Sequence, residues 1–163
     1  RNSASIDDLK IAQPYCAITK FNLNGEIVNY KEFMDDEAIY QRALDFEINK
    51  FGDIFLLRQI TNLDLKRYTY CEVLDSNLIH KYVFDFNKLE FKNVEINYLN
   101  QPVIISKVIK PQILKRNNLD RERYHILVLN SKGKIRHIPI DKKIYLVNYE
   151  MVLFKNKILI NAF

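Results

Sequence analysis

Five β-rich runs follow one another between residues 53 and 109, and this succession most constrains the fold. The runs read DIFLLRQI, KRYTYCEVL, LIHKYVFDF, LEFKNVEINYL and PVIISKVI, with short breaks rich in Asn, Asp and Lys between them. Aromatic and β-branched residues favour strands, and no stretch here sustains the 3.6-residue period of an amphipathic helix. Parallel sheets joined by crossover helices are therefore not expected.

Two hairpins are predicted on either side of this region. The first, within residues 15–30, has Asn24-Gly25 at its turn. Asn-Gly is the strongest short-range hairpin signal, because a type I′ turn requires positive φ at both central residues. The second joins residues 124–130 to 134–140 through Ser131-Lys132-Gly133, and the tail after it predicts two or three closing strands with a turn at 155–157.

One helix is predicted, over residues 35–51. Asp35 or Asp36 can cap its first N–H groups, and Gly52 stands where a helix commonly ends in a left-handed residue. Its apolar stripe, at spacings of four, four and three, consists of Tyr40, Leu44, Ile48 and Phe51. Such a stripe is typical of a helix packed on a sheet.

These elements predict a mainly β protein of the α+β type with one principal helix. About eleven strands and one helix favour a β-barrel or a two-layer β-sandwich with the 35–51 helix packed against it. Residues 1–13 are predicted to be an N-terminal arm, and residues 14–163 a single strand-rich globular domain. No apolar run approaches the roughly 18–20 residues of a membrane-spanning helix, so a soluble chain is expected.

The two cysteines, Cys16 and Cys71, lie on predicted strands. We expect two buried, small apolar side chains in a reducing compartment, which favours the cytoplasm. If the chain were secreted, the two could instead form a disulfide.

Positive charge is concentrated in residues 107–143. This segment contains eleven Lys and Arg residues and three acids, a net charge of +8, whereas the whole chain has 25 basic and 20 acidic residues and a net charge of +5. The remainder is therefore acidic, at −3. Clustered Lys and Arg neutralise phosphates and release counterions, so the segment predicts contact with a polyanion.

The leading hypothesis is a non-enzymatic binding module for RNA or DNA backbone. The candidate nucleic-acid- or anion-binding residues are Lys115, Arg116, Arg121, Arg123, Lys132, Lys134, Arg136 and His137. Few aromatic residues are interleaved with them, so base stacking is less favoured than phosphate contact. The alternative for the hairpin lysines is protection of an exposed edge strand from aggregation.

A second hypothesis is an assembly subunit of a larger complex. The basic segment would then dock on an acidic protein partner.

A third hypothesis is a small nuclease. Glu90-Phe91-Lys92, with Asp75 or Asp85 upstream, could hold Mg²⁺ while the lysine steadies the attacking water. This triplet resembles the Asp…Glu-x-Lys core of the restriction-endonuclease-like superfamily over about twenty residues. The chain departs from that family because no second helix is predicted to flank the sheet.

A metal-free ribonuclease is another form of the third hypothesis. His125 or His137 would serve as acid and base, with Arg123 or Arg136 on the phosphate.

Other chemistry has no support in the sequence. The three histidines are widely spaced, and neither CxxC nor HExxH occurs, so no metal site is predicted. Cys71 and His80 form the only Cys–His pair close in sequence, and no orienting motif accompanies them. The three glycines are too far apart for a phosphate-binding loop. We therefore predict no cofactor.

Overall fold

The chain folds into antiparallel strands. The computed structural model describes residues 16–86, 89–108, 124–130, 134–141, 149–154 and 157–162, and these contain no helix. In chain order the strands are β1 (Cys16–Phe21), β2 (Ile27–Phe33), β3 (Ala38–Ile48), β4 (Ile54–Asn62), β5 (Arg67–Leu74), β6 (His80–Asp85), β7 (Leu89–Ile96), β8 (Pro102–Val108), β9 (Tyr124–Leu129), β10 (Ile135–Pro139), β11 (Tyr149–Phe154) and β12 (Lys157–Ala162). Accordingly, none of the described residues forms a helix that is long and apolar enough to cross a membrane.

Four separate sheets result. A first four-stranded sheet has the order β3-β4-β5-β6, a second has the order β10-β9-β8-β7, and two hairpins, β1–β2 and β11–β12, form two-stranded sheets. The predicted barrel is wrong, because none of these sheets closes. The predicted two-layer sandwich is also wrong, because a hairpin lies on the outer face of each four-stranded sheet.

Strand alternation explains the layers, since neighbouring residues of a strand point to opposite faces. The two four-stranded sheets share the largest core, to which Leu57, Val73, Ile104 and Leu127 contribute fully buried side chains. On the other face of the first sheet, Leu56 and Leu74 pack against Cys16 and Phe33 of β1–β2.

The outer face of the second sheet is built in the same way. Val103, Ile105 and Tyr124 pack against Met151 of β11–β12. The first strands of successive layers lie close together, because β3 contacts β7 and β7 contacts β11.

One type of turn recurs between the strands. Each begins with Asn or Asp, whose side-chain oxygen accepts the backbone N–H four residues later; these residues are Asn22, Asn49, Asn62, Asp75, Asn97 and Asn130. The fourth position has positive φ in the five turns where it is described: Gly25, Gly52, Leu65, Leu78 and Asn100. An Asx side chain that bonds its own turn is a known hairpin device.

The hairpin predicted around Asn24-Gly25 is confirmed, but its turn type differs. Only Gly25 has positive φ, at 83°, whereas a type I′ turn requires this of Asn24 as well. In the second predicted hairpin, strands β9 and β10 lie where expected, and residues 131–133 lie outside the described residues.

The predicted helix at 35–51 is wrong, because its central part is the long strand β3. A spacing of four residues fits the strand period of two as well as the helical 3.6, so the apolar stripe did not discriminate between them. Asp35 accepts the N–H of Glu37 in a turn, and Gly52 has the expected positive φ in a hairpin turn. Of the predicted stripe, Tyr40, Ile48 and Phe51 are exposed.

A buried ion pair lies beneath the β1–β2 hairpin. Arg58 of β4 donates to the carboxylate of Glu72 on β5, and both residues are over 90% buried. Arg58 also donates to Oε1 of Gln41 at 2.8 Å, and its guanidinium lies 4.9 Å from the ring centre of Phe33. Its Nε has no hydrogen-bond partner among the described residues. The hairpin thus rests on a charged pair as well as on apolar side chains.

The two cysteines lie on opposite faces of this part of the fold. Cys16 packs against the outer face of the first sheet and Cys71 lies in the shared core, so the β4–β5 layer separates them. Both are unpaired and buried, and burial raises the pKa of each thiol.

Negative charge gathers where β3 meets β7. The pKa of Glu95 is raised, first by burial and then by the neighbouring carboxylates of Glu47 and Asp45. Asp45 also joins the two sheets, because its Oδ2 accepts the backbone N–H of Val94 at 2.9 Å.

Candidate anion-binding site

The β9–β10 hairpin holds every predicted anion-binding residue that the structure describes. The Asx turn fixes its tip, since Asn130 Oδ1 accepts the N–H of Lys134 at 2.9 Å. Among the described strands, β10 pairs with β9 alone and is the edge of the second sheet. Lys134, Arg136 and His137 are all exposed there.

Alternation places these side chains on two faces. Arg136 lies on the outer face of the sheet, the face on which Val128 packs towards the β11–β12 hairpin. His137 pairs in register with Leu127 and therefore lies on the inner face, at its margin. The prediction that Lys134 and Arg136 share a face follows this alternation. Within the described part of the chain, neither of these two forms an ion pair.

The structure brings the two histidines of this hairpin together. The rings of His125 and His137 are 6.2 Å apart, edge to face. Nδ1 of His125 is buried and has no hydrogen-bond partner among the described residues. The backbone carbonyl of His125 accepts the hydroxyl of Ser106 at 3.3 Å. The ring of His137 is exposed and His125 is partly exposed, so both residues lie at the margin of the sheet.

Five predicted residues lie outside the described residues: Lys115, Arg116, Arg121, Arg123 and Lys132. Four of the five belong to residues 109–123, which come directly before Tyr124. Tyr124 pairs with Lys107, at the end of β9 that is opposite the Asn130 turn. Lys134 lies at the turn end, about 20 Å away along the strand at 3.3 Å per residue. The structure therefore places the described basic residues nearer to one end of this hairpin.

Asp75, one of the acidic residues of the nuclease hypothesis, stabilises a turn. Asp75 accepts the N–H groups of Asn77 and Ile79 in its turn. Asp85 pairs in register with Tyr70 at the edge strand β6. The side chains of Glu90 and Lys92 lie outside the described residues. No group of three possible metal ligands occurs among the residues that the structure describes.

An apolar groove was not predicted from the sequence. It has a volume of about 480 Å³ and lies between residues 17–20 of β1 and the outer face of β3 and β4, where Phe46, Ile48, Ile54 and Leu56 line it. Lys20 at its rim donates to the carbonyl of Ser76 at 3.0 Å. Phe46 and Ile48 alternate with acids, as in a strand that has one apolar and one polar face. This alternation could have indicated an apolar strand face, but the residues were interpreted as part of a helix.

The comparisons with known proteins add no relative. No protein-family model matches the chain, and a search of curated proteins found no match. Function is therefore argued from the residues themselves.

Proposed function

We propose that the chain is a non-enzymatic binding module that contacts a polyanion, the backbone of RNA or DNA, through its basic segment. The observation that supports this most directly is the β9–β10 hairpin. Lys134 just before β10 and Arg136 on β10 are exposed there, without an acidic partner in the described region. Exposed cations on an edge can approach phosphates without first breaking an ion pair.

The charge distribution adds to this proposal. Residues 107–143 have a net charge of +8 against −3 for the rest, and carboxylates gather at the β3–β7 margin. An extended polyanion suits a basic element that begins at Lys107 and continues past Lys134. A compact anion would need these residues to converge, so a polymer is the better match.

A salt titration tests the proposal. We expect a fluorescein-labelled single-stranded RNA to bind in an anisotropy assay, with log Kd rising as log salt rises, at about 0.7 per neutralised phosphate. Charge reversal of Lys134 and Arg136 to Glu should weaken binding and lower this slope by about 1.4. Reversal of Lys115, Arg116, Arg121 and Arg123 should abolish binding with little change in Tm.

A matched control separates a local contact from net charge. Reversal of Lys66 and Arg67, which are exposed at the β4–β5 turn, changes the net charge as much as reversal of Lys134 and Arg136. This control should retain the slope. Equal losses from both pairs, or binding that is undetectable at low salt, would refute the proposal.

The proximity of His125 and His137 favours a second candidate function, a metal-free ribonuclease. One ring would accept the proton of a ribose 2′-hydroxyl while the other protonates the leaving oxygen. RNA should then be cleaved in the presence of EDTA, and His137→Ala should lower cleavage far more than it weakens binding. Intact RNA after prolonged incubation at several pH values would exclude this function.

The alternative of an assembly subunit rests on a different observation. Several large apolar side chains are exposed on β1–β2, among them Phe21, Ile27 and Val28, and exposed apolar patches mark interaction sites. A basic segment docking on an acidic protein stays a hypothesis, tested by co-purification of one defined partner without nucleic acid.

A further inference from the structure

Among the described residues, two strands lie on the outer face of each four-stranded sheet. The β1–β2 hairpin packs on the first sheet through Cys16 and Phe33, and the β11–β12 hairpin packs on the second through Met151. Two strands cannot cover the face of a sheet that is twice as wide. Each outer layer is therefore half the width of the sheet beneath it.

The groove lies on the outer face of the first sheet, beside the part of that face on which β1–β2 packs. Ile54, Leu56 and Leu78 belong to the core beneath β1–β2 and also line the groove. Beyond them the same face continues to Phe46 and Ile48, which are 57% and 53% exposed. One wall of the groove is the edge of β1, which in the described part of the chain pairs only with β2. An apolar floor beside an unpaired strand edge is suited to strand addition.

The β11–β12 hairpin has the properties of an occupant. Its inner face already packs on a sheet through Met151 and Ile160. On its outer face Val152 and Leu159 are cross-strand partners, and each is 56% exposed. A hairpin with an exposed apolar pair on its outer face is suited to lie between two sheets, and in the described part of the chain it has a sheet on one side.

The order of the layers within the chain indicates the orientation in which the β11–β12 hairpin of another copy would lie in the groove. Because β3, β7 and β11 lie next to one another in successive layers, the equivalent place for β11 of another copy is over β3. Strand β12 then lies over β4, beside the edge of β1. The resulting order, β11-β12-β1-β2, is an antiparallel sheet of the same width as the two within the chain.

We propose that two copies of this chain associate, each inserting its β11–β12 hairpin into the groove of the other. A two-fold pair uses both surfaces of both copies, so the contact closes without further growth. All layers would then be four strands wide. Stacked four-stranded antiparallel sheets are also the building principle of β-propellers.

Sedimentation velocity on the full chain tests this proposal. Wild-type protein at tens of micromolar should sediment as a species of twice 19.5 kDa. Phe46→Lys in the groove and Leu159→Lys on the hairpin should each give a monomer, with the dimer dissociation constant raised at least a hundredfold. Both side chains are already exposed in the single chain, so circular dichroism and Tm of the monomer should be unchanged.

Two further variants make the test specific. Leu23→Lys replaces a fully exposed apolar residue in the β1–β2 turn, away from the groove, and should leave the dimer intact. Combining Phe46→Lys with Leu159→Glu should restore part of the dimer through opposite charges. A monomeric wild type, or a dimer that resists both single substitutions, would overturn the proposal. A monomer that binds a fluorescent fatty acid in the groove would also overturn it and assign the groove to an amphipathic small molecule.

Discussion

Removal of the Glu72 carboxylate should be one of the most destabilising single substitutions in the first sheet. In Glu72→Ala the guanidinium of Arg58 stays over 90% buried, with one remaining side-chain acceptor, Gln41, and the ring of Phe33. An uncompensated buried charge costs about 3–5 kcal/mol. Against a typical free energy of unfolding of about 5–15 kcal/mol, this is a large fraction, equivalent to a fall in Tm of about 6–20 °C.

Urea denaturation followed by circular dichroism measures this cost, because the chain has no Trp. The control is Asp64→Ala, which removes a carboxylate 3.2 Å from Lys66 in an exposed pair and should cost less than about 1 kcal/mol. Replacing both Arg58 and Glu72 by Met and Leu should recover most of the loss, since no buried charge is then left. A loss in Glu72→Ala no larger than that of the control, at an unchanged m-value, would refute the burial of this pair.

Three further predictions concern the turns, the acidic margin and the thiols. Leu65→Gly should stabilise the protein by roughly 0.5–1 kcal/mol in urea melts, because Leu65 has a φ of 60°, whereas Leu63→Gly in the same turn should not. Glu95→Gln should raise Tm by a few degrees at pH 7 and have little effect below pH 4.5, the unperturbed pKa. The raised pKa of Glu95 means that its ionisation destabilises the fold as pH rises; an equal effect at both pH values would contradict this. Cys16 should react with a thiol reagent before Cys71, because opening of the β1–β2 hairpin exposes only Cys16; simultaneous labelling would show that the hairpin does not open separately.

The sequence predicted strands where a short-range signal was decisive. Asn24-Gly25 and Ser131-Lys132-Gly133 indicated two hairpins, and the flanking strands lie where expected, because turn chemistry acts within a few residues. It failed at 35–51, where a spacing of four satisfies both periods and two bulges in β3 disturb the alternation. Acids at 35 and 36 and a glycine at 52 serve turns as well as helix ends, so they added no discrimination.

The buried ion pair and the groove could not be predicted from local patterns. Arg58 and Glu72 are single polar residues on apolar strands. The ring of Phe33, which comes 25 residues before Arg58 in the chain, lies over the Arg58 guanidinium. The groove depends on how β1 crosses β3 and β4, which no spacing encodes. The anion-binding prediction was a statement about charge, and the structure describes three of its eight residues.

The polyanion-binding proposal depends on the edge of β10, and the dimer proposal depends on the edge of β1. Strand β10 carries Arg136 and ends at Pro139, and charge and proline are the usual means by which an edge strand avoids pairing. Protection alone would therefore explain its basic residues, and only the change in salt slope on charge reversal distinguishes protection from phosphate contact. Strand β1 presents Ala17, Ile18 and Thr19 beside an apolar floor, and its one charged residue, Lys20, lies at the rim. An edge with a single lysine beside an apolar floor invites either aggregation or a specific partner strand, and the pairing of two copies would supply that strand.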